Sequence, residues 1–591
     1  MLPRKGLSMR HTPVDPSKLA LQRLYHWEQT APDRVVLTQP MGTGPLATFT
    51  WAQVMDGARR MAAHLQAQGL QPGDRVGLIS KNTAWWLMAD FSIWLAGGVS
   101  VPLYPTLAAD TIRQILTHSE ARWLFIGKLD GWAGMRPGVQ AAISAAAAAA
   151  PGLRCIRLPL APALAEMPTG GDGVTEDWDA IIARTAPLAG SPVRDGDELA
   201  TIMYTSGTTG APKGVMHSFG TFAWSIDAGL KRMVSIDQNT RMLSYLPLSH
   251  VAERTLIEHG LLASGMQVFF ADSLDTFAQD LQRARPTTFF SVPRLWVKFQ
   301  QGVAAKMPAA KLARLLKIPI INSIVRKKVL GALGLDQCTF AAGGAAPMPP
   351  ELLNWYIRLG LPIVEVYGMT ENCGISHATL PGKPRPGTVG PAYDGVACKI
   401  DPANGEILVK SERLMLGYYK EPALTAEAVT PDGWLHTGDK GTIDAEGNLK
   451  ITGRVKDLFK TSKGKYVAPA PIEDKLVMHP SVEACCVTGA NLGQPMAVLM
   501  LNADAISAVK GAAGRETLKA SLDAHLKTVN ATLDPHEQLD SLIVVTEPWT
   551  VDNGFITPTF KVKRNRVEEV YGARYEAWSR QHQPVIWAAD H

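Results

Sequence analysis

From about Ser17 to Gly127, stretches with apolar residues at helical spacing alternate with short β-rich runs such as Arg75-Val-Gly-Leu-Ile79 and Val99-Ser-Val-Pro-Leu-Tyr104. That alternation predicts helices packed on a largely parallel sheet, an α/β class. The most apolar stretch, Trp85 to Tyr104, is broken by Asp90, Gly97-Gly98 and Pro102. Those breaks predict a buried helix running into a strand and no membrane span. Ala141 to Ala150 is alanine apart from Ile143 and Ser144 and predicts helix, whereas the Pro, Gly and Ala mixture from Pro159 to Ser191 predicts a loose surface connection. Leu199 to Tyr204 reads as a strand entering a Gly/Thr loop, after which α/β alternation resumes to about Lys399.

Further on the pattern changes. Gly441 to Thr452 reads as a hairpin with turn chemistry from Asp444 to Asn448, and a new unit is expected near it. Leu518, Leu522, Leu526, Val529 and Leu533 recur at helical spacing, and Leu542-Ile-Val-Val545 looks like a strand. We therefore expect a large N-terminal domain over 1–454, with mixed and parallel sheets in several subdomains, and a small α+β C-terminal domain over 455–591.

A chain of 591 residues fits about two to four domains. Its hydrophobic share of 46% and charged share of 19% lie far from the disordered regime. The net charge of +5, from 59 basic and 54 acidic residues, is too small a bias to call for nucleic acid as a partner. Six cysteines form no CxxC pair and no metal-ligand spacing with histidine, and the basic start from Met1 to Arg10 lacks a signal's apolar core. These features lead us to expect a reducing, cytoplasmic setting.

Chemistry enters at Tyr204-Thr-Ser-Gly-Thr-Thr-Gly-Ala-Pro-Lys-Gly214. Glycines let backbone N–H groups converge on an anion, four hydroxyls add donors, and Lys213 adds a mobile positive charge. Pro212 stands where Walker A needs glycine before its lysine, which disfavours a P-loop kinase or GTPase. The string instead resembles the phosphate loop of adenylate-forming enzymes. In that family's order follow Ala341-Ala-Gly-Gly-Ala-Ala-Pro347, Val366-Tyr-Gly-Met-Thr-Glu371, Trp434-Leu-His-Thr-Gly-Asp439, Gly453-Arg-Val-Lys-Asp-Leu-Phe-Lys460 and Thr557-Pro-Thr-Phe-Lys-Val-Lys-Arg564.

The resemblance implies ATP and coenzyme A as co-substrates, Mg²⁺ as cofactor, and a mobile C-terminal domain that rotates between two half-reactions. It implies nucleotide contacts from Thr205, Ser206, Gly207, Thr208, Thr209, Gly210, Lys213, Gly343, Gly344, Ala345, Tyr367 and Gly368. Glu371 would hold Mg²⁺ with Thr205 as second contact, Thr370 would donate to the α-phosphate, and Tyr367 would lie flat beside adenine. Asp439 and Arg454 would take the ribose hydroxyls. Lys561 would bridge substrate carboxylate and α-phosphate, with Lys563 the runner-up. Lys456 falls at the hinge position, and Lys460, Gly464, Lys465 and Tyr466 fall on the element that lines the pantetheine channel. Read without the family, a Gly-Asp turn, a helix-capping glutamate and a solvated charge run over Arg454 to Lys465 are the ordinary alternatives.

Leu246-Pro-Leu-Ser-His-Val-Ala-Glu-Arg254, Ser291-Val-Pro-Arg-Leu-Trp296 and Lys463-Gly-Lys-Tyr-Val-Ala-Pro-Ala-Pro-Ile-Glu473 resemble the long-chain fatty-acyl-CoA synthetase branch. His250 then reads as an acyl-pocket residue or as a satisfied structural histidine. The branch often has Leu-Thr-His after the phosphate-loop lysine; this chain has Met216-His-Ser-Phe219, with the histidine displaced. Alternatives to a fatty-acyl-CoA synthetase are a ligase delivering to a carrier-protein thiol, a synthetase for another acid, a luciferase-like oxidase, and an inactive lipid binder. Lys311 to Leu330 mixes apolar and basic residues, as does a helix lying peripherally on the inner face of a membrane or a domain helix with a basic outer face. No motif encodes acyl chain length or oligomeric state.

Overall fold

A computed structural model describes residues 13–42, 44–146, 152–169, 175–206, 212–232, 236–551, 553–557 and 561–590. The largest sheet has eight strands, in spatial order Gly417–Tyr418, Pro212–Ser218, Leu199–Ser206, Val99–Leu103, Arg75–Ile79, Trp123–Ile126, Arg154–Arg157 and Glu176–Asp177. From Leu199–Ser206 through to the Glu176–Asp177 edge the neighbours are parallel, and Gly77, between its neighbours' side chains, leaves no room for a Cβ, which would fall 2.8 Å from Leu124 Cδ1. The predicted buried helix is Ala84–Ala96, buried at every residue. Thr83 caps it by accepting the Trp86 N–H at 3.1 Å, and Gly97 ends it at φ 95°.

One expectation needs correction here, and another is extended. The Pro159–Ser191 stretch is not only a loose connection, because Glu176–Asp177 adds the sheet's edge strand and Trp178–Arg184 is a helix that buries Trp178 and Ile181. An indole and an isoleucine three apart outweigh the surrounding prolines and glycines. The alanine run is the tail of a longer helix, Trp132–Ala146, with Pro137 inside it; residues 147–150 lie outside the described set.

A second sheet sets Thr288–Ser291, Phe340–Gly344 and Ile363–Tyr367 parallel, with His377–Ala378 antiparallel at the edge. A third joins Val35–Pro40 and Leu46–Thr50 to Arg241–Ser244 and Gln267–Phe270. The predicted hairpin is present as Leu435–Ile443 with Leu449–Arg454. It does not open a new unit: it completes a four-stranded sheet with Val396–Ile400 and Glu406–Ser411.

Past residue 455 a separate sheet, ordered Val482–Thr488, Met496–Leu501, Leu542–Val545 and Val585–Trp587, is covered on both faces. Cys485, Val487, Leu499 and Val544 face one core with Leu518, Leu522, Leu526 and Val529 of the helix Ala512–Asn530. Ala484, Cys486, Val498 and Ile543 face another with Trp549, Tyr571 and Trp578. The alternation follows from the period-two pleat of a strand buried on both sides. Leu533 lies beyond the helix and packs at that core's margin.

One buried ionic cluster ties the large sheet to the helices above it. Arg254 starts a π-helical turn, Arg254–His259, and pairs with Asp90 and with Glu258, the latter at 2.9 Å, while donating to Thr201 Oγ1 at 3.0 Å. All three charged side chains are fully buried, and the guanidinium lies near Trp86, Trp94 and Phe222. Burial and the nearby Asp90 carboxylate raise Glu258 well above the usual carboxylate range. Arg254→Met leaves Asp90 buried without its partner, and urea denaturation is expected to register a loss of about 3–5 kcal/mol. A loss within about 0.5 kcal/mol, typical of surface changes, would contradict this role.

Candidate active site

A cavity of about 1140 Å³ lies where the phosphate hairpin, the second sheet and the C-terminal unit meet. The hairpin's strands oppose Tyr204 to Gly214 and Thr205 to Lys213. Directly opposed residues project to the same face, so Thr205 and Lys213 share one, and both line the cavity. Gly214 is needed because a Cβ would come within 2.7 Å of Ile202 and 3.2 Å of the Tyr204 ring. Gly207, Thr208, Thr209 and Gly210 lie outside the described residues, as does the Ser206 side chain.

Glu371 and Thr370 belong to a short 3₁₀ turn, Thr370–Asn372, braced from three directions. The Glu371 carbonyl accepts the Met415 N–H at 2.8 Å, its Oε1 accepts the Tyr418 hydroxyl at 2.8 Å, and the Thr370 carbonyl accepts from His217 Nε2 at 2.7 Å. Burial, with Glu371 beside it, raises the Tyr418 phenol far above its usual range and keeps it a donor. Lys213 Nζ stands 5.3 Å from the centre of the same ring. Burial pushes His217 down to about 4, so its imidazole is neutral and supports the turn from behind. The displaced histidine thus has a structural post under the turn. Gly368 permits this tight path, since a Cβ there would meet the Gly374 backbone at 2.3 Å.

Asp439 and Arg454 are cross-strand partners, with Arg454 Nε 3.2 Å from Asp439 Oδ1. The Tyr367 hydroxyl donates to Asp439 Oδ2 at 2.7 Å. Each carboxylate oxygen has two lone pairs, so both retain capacity for vicinal hydroxyls. Tyr367 also lines the cavity, its phenol anchored and its ring held in one plane.

Lys561 comes to this cavity from the C-terminal unit. Its backbone is pinned at both ends: its N–H donates to Thr557 Oγ1 at 3.0 Å, and its carbonyl accepts the Thr557 N–H at 2.8 Å. Surrounding protein and the Arg454 cation lower its ammonium below the usual lysine range, partly offset by Asp439. The side chain nonetheless meets solvent inside the cavity. Lys563 lines the same space. His250 is a satisfied histidine, since its Nδ1 accepts the Ala252 N–H at 3.2 Å and caps a short helix, and its ring also lines the cavity. Burial and the nearby Lys561 push it down to about 4, which leaves it neutral with its proton on Nε2.

Other expected residues stand apart. Gly343 and Gly344 lie in the strand behind the cavity, where a Cβ would strike Met348 Sδ at 2.5 Å or the Val366 carbonyl oxygen at 2.6 Å; Ala345 reaches the lining at φ 68°. Lys456 is exposed after the strand Leu449–Arg454. Lys460, Gly464, Lys465 and Tyr466 sit on a two-stranded hairpin outside the cavity lining, and Tyr466 is exposed. Residues the sequence reading missed include Tyr418 and an acid pair, Glu365 and Asp474, contributed by the two units. Both acids line the cavity, and burial, with a neighbouring carboxylate, pushes each up to about 8. Local spacing does not mark Glu365, because the carboxylate beside it, Asp474, lies far away in the chain, and Asp474, raised by the adjacent Glu473, reads locally as one of an ordinary acidic pair.

The acidic content bears on metal binding. Among the described residues no three His, Cys, Asp or Glu side chains cluster as a metal cage. Glu371 offers one carboxylate, with Tyr418 on Oε1, beside the phosphate hairpin. A single carboxylate suits Mg²⁺ that arrives with most of its oxygens supplied by phosphates and water.

Residues 24–419 match the model of the AMP-binding enzyme family, and residues 456–580 match that of the AMP-binding enzyme C-terminal domain. The chain is 30% identical to a long-chain-fatty-acid–CoA ligase, FadD15, of Mycobacterium bovis, over 94% of this chain and 96% of that protein. It is 29% identical to the peroxisomal long chain acyl-CoA synthetase 6 of Arabidopsis thaliana, over 89% and 81%. In fold it resembles the A domain of carboxylic acid reductase from Segniliparus rugosus, solved with AMP and a co-purified carboxylic acid, at TM-score 0.79 and 24% identity over 95% and 94% of the chains. The family match spans well over half of the sequence, and the chain belongs to the AMP-binding enzyme family.

Proposed function

We propose that the chain is an ATP-dependent ligase that activates a long-chain fatty acid as its acyl-adenylate, releases pyrophosphate, and then transfers the acyl group to coenzyme A. The observation that carries this reading is Lys561 in one cavity with Glu371, Asp439 and Arg454, continuous with apolar walls that include Leu103, Leu256, Phe290 and Ile375. Such walls suit an acyl chain, and the relatives named as long-chain ligases match almost end to end.

In this reading Asp439 and Arg454 orient the ribose while Thr205 and Lys213 hold phosphate oxygens. Lys561 offsets the repulsion between the fatty carboxylate and the α-phosphate as they close. Mg²⁺, held by Glu371 with Thr205 nearby, would neutralise charge on the triphosphate. The neutral His250 can donate from Nε2 into the acyl side of the cavity. The domain boundary then falls between Arg454 and Val455, and Lys456 is the pivot that would bring Lys460, Gly464, Lys465 and Tyr466 to the coenzyme A entrance for the second step. The exposed position of that hairpin suits a role outside the adenylation step.

A peripheral meeting with a bilayer is part of the proposal. No helix among the described residues is long and apolar enough to cross a membrane. Ile318, Ile320, Ile321 and Ile324 are exposed at the junction of two helices, with Ile320 79% accessible. Between Lys306 and Leu335 the sequence holds Lys306, Lys311, Arg314, Lys317, Arg326, Lys327 and Lys328 and no acidic residue. Ile320 adopts φ 69°, a strained conformation for a β-branched residue. An apolar knuckle in a field of cations fits an anionic lipid surface. Sedimentation with phosphatidylglycerol vesicles is expected to pull down the protein, with binding lost in phosphatidylcholine vesicles and in Ile320→Glu/Ile324→Glu; equal binding to both lipids would remove the idea.

For the chemistry, Lys561→Ala should lower fatty-acid-dependent pyrophosphate–ATP exchange by about 100-fold or more, while transfer from preformed acyl-adenylate to coenzyme A stays near the wild-type rate. Because the Lys561 ammonium is depressed and must be charged to act, kcat/KM for ATP should fall as pH rises through a pKa below the usual lysine value. Lys561→Arg should move that fall to higher pH. Equal loss of both half-reactions in Lys561→Ala would refute the assignment.

A further inference from the structure

The motif Ser291-Val-Pro-Arg-Leu-Trp296 contains a charge that the reaction above does not use. Arg294 lies in the first turn of the helix Pro293–Lys306, and Lys298 follows one turn later. The helix begins at Val292 with no side-chain cap and no acidic residue in its first turn. Cations at a helix N-terminus oppose its dipole, so this end is electrostatically mismatched within its own unit.

The missing negative charge comes from the C-terminal unit. Glu483 pairs with Arg294 and lies 3.4 Å from Lys298 through the same oxygen, Oε1. Glu483 stands where the pairing of Val482–Thr488 with Met496–Leu501 slips register, between Val482 and Ala484. A bulge there turns one side chain out of the strand's alternation and aims it at the neighbouring unit. Only 17% of the Glu483 side chain is accessible. From the same unit, Met478 packs against the large unit's core cluster that contains Trp296 and Val297.

We propose that Glu483 is a positioning residue for the adenylation step: gripped by Arg294 and Lys298, it holds the C-terminal unit in the orientation that seats Lys561 in the cavity. Release of this grip accompanies the turn to the thioester step. The proposal rests on the reading of Lys561 given above, and it adds a partner for that lysine's placement rather than for its chemistry. Since the grip acts only in the docked orientation, its loss must slow one half-reaction and spare the other.

The test measures the two half-reactions separately in the full chain, with thermal melting as the folding control. Glu483→Gln is expected to lower fatty-acid-dependent pyrophosphate–ATP exchange about tenfold, with transfer from preformed acyl-adenylate to coenzyme A undiminished. Arg294→Gln, altered on the other unit, should give the same split. The exchanged pair Arg294→Glu/Glu483→Arg should recover part of the lost exchange, and the split between the two half-reactions is what a merely structural role would not produce. Wild-type rates for both steps in Glu483→Gln, or equal loss of both, would overturn the proposal. Lys561→Ala run alongside keeps the two ideas apart. If it abolishes exchange while Glu483→Gln behaves as wild type, the grip fails and the lysine reading stands; if Lys561→Ala retains exchange, the lysine reading itself fails.

Discussion

Two anions must be brought together in the proposed reaction, a carboxylate and a triphosphate, and the cation placed to offset their repulsion arrives from another unit. Lys561 belongs to the C-terminal unit, yet it stands among Asp439, Arg454 and His250 of the large one. The cavity is therefore complete only while the units are docked. That constraint gives meaning to otherwise unrelated features: an exposed connection at Lys456, an acid pair from both units at Glu365 and Asp474, and a bulged strand that aims Glu483 across the boundary. The proposed exchange of one catalytic face for another calls for an interface that can release, and ion pairs such as Glu483 with Arg294 allow that more readily than a large apolar seam.

The polar side chains on the large unit are held from behind. His217 supports the Thr370 carbonyl, Tyr418 supports Glu371, and Tyr367 supports Asp439. Each bracing group is buried and kept in one protonation state by that burial, neutral imidazole or protonated phenol. Such groups need no reorganisation when charge develops in front of them, which is where an electrostatic site gains most of its effect. The buried Arg254 cluster extends the same design to the scaffold, tying the π-helical turn to the large sheet beneath it.

Much of this was legible in the sequence, and the reasons are local. The buried helix Ala84–Ala96, the hairpin after Leu435 and the C-terminal helix at Leu518 to Val529 each follow from periodicity and turn residues within a short window. Glu371, Asp439, Arg454 and Lys561, which the structure gathers around one cavity, stand out in the sequence because each sits in a contiguous motif. Tyr418 was not, since it meets Glu371 across 47 positions of chain and nothing in its own neighbourhood marks it. Glu365 escaped for the same reason, since the carboxylate beside it is Asp474 of the other unit. The short edge strand at Glu176 and the helix after it were masked by flanking prolines and glycines, whose turn signals outweighed one indole and one isoleucine. The hairpin at Leu435 was located correctly and assigned to the wrong neighbour, because its partners in the sheet begin nearly forty residues upstream, at Val396.

The central claim is that the fatty carboxylate itself attacks the α-phosphate, with Lys561 between them. The most direct measurement follows the carboxylate oxygens. A fatty acid labelled with oxygen-18 at its carboxyl group is converted with ATP and coenzyme A, and the nucleotide and phosphates are weighed by mass spectrometry. An acyl-adenylate route transfers a labelled oxygen to AMP and none to orthophosphate or pyrophosphate. Label in orthophosphate, or unlabelled AMP, would contradict the account.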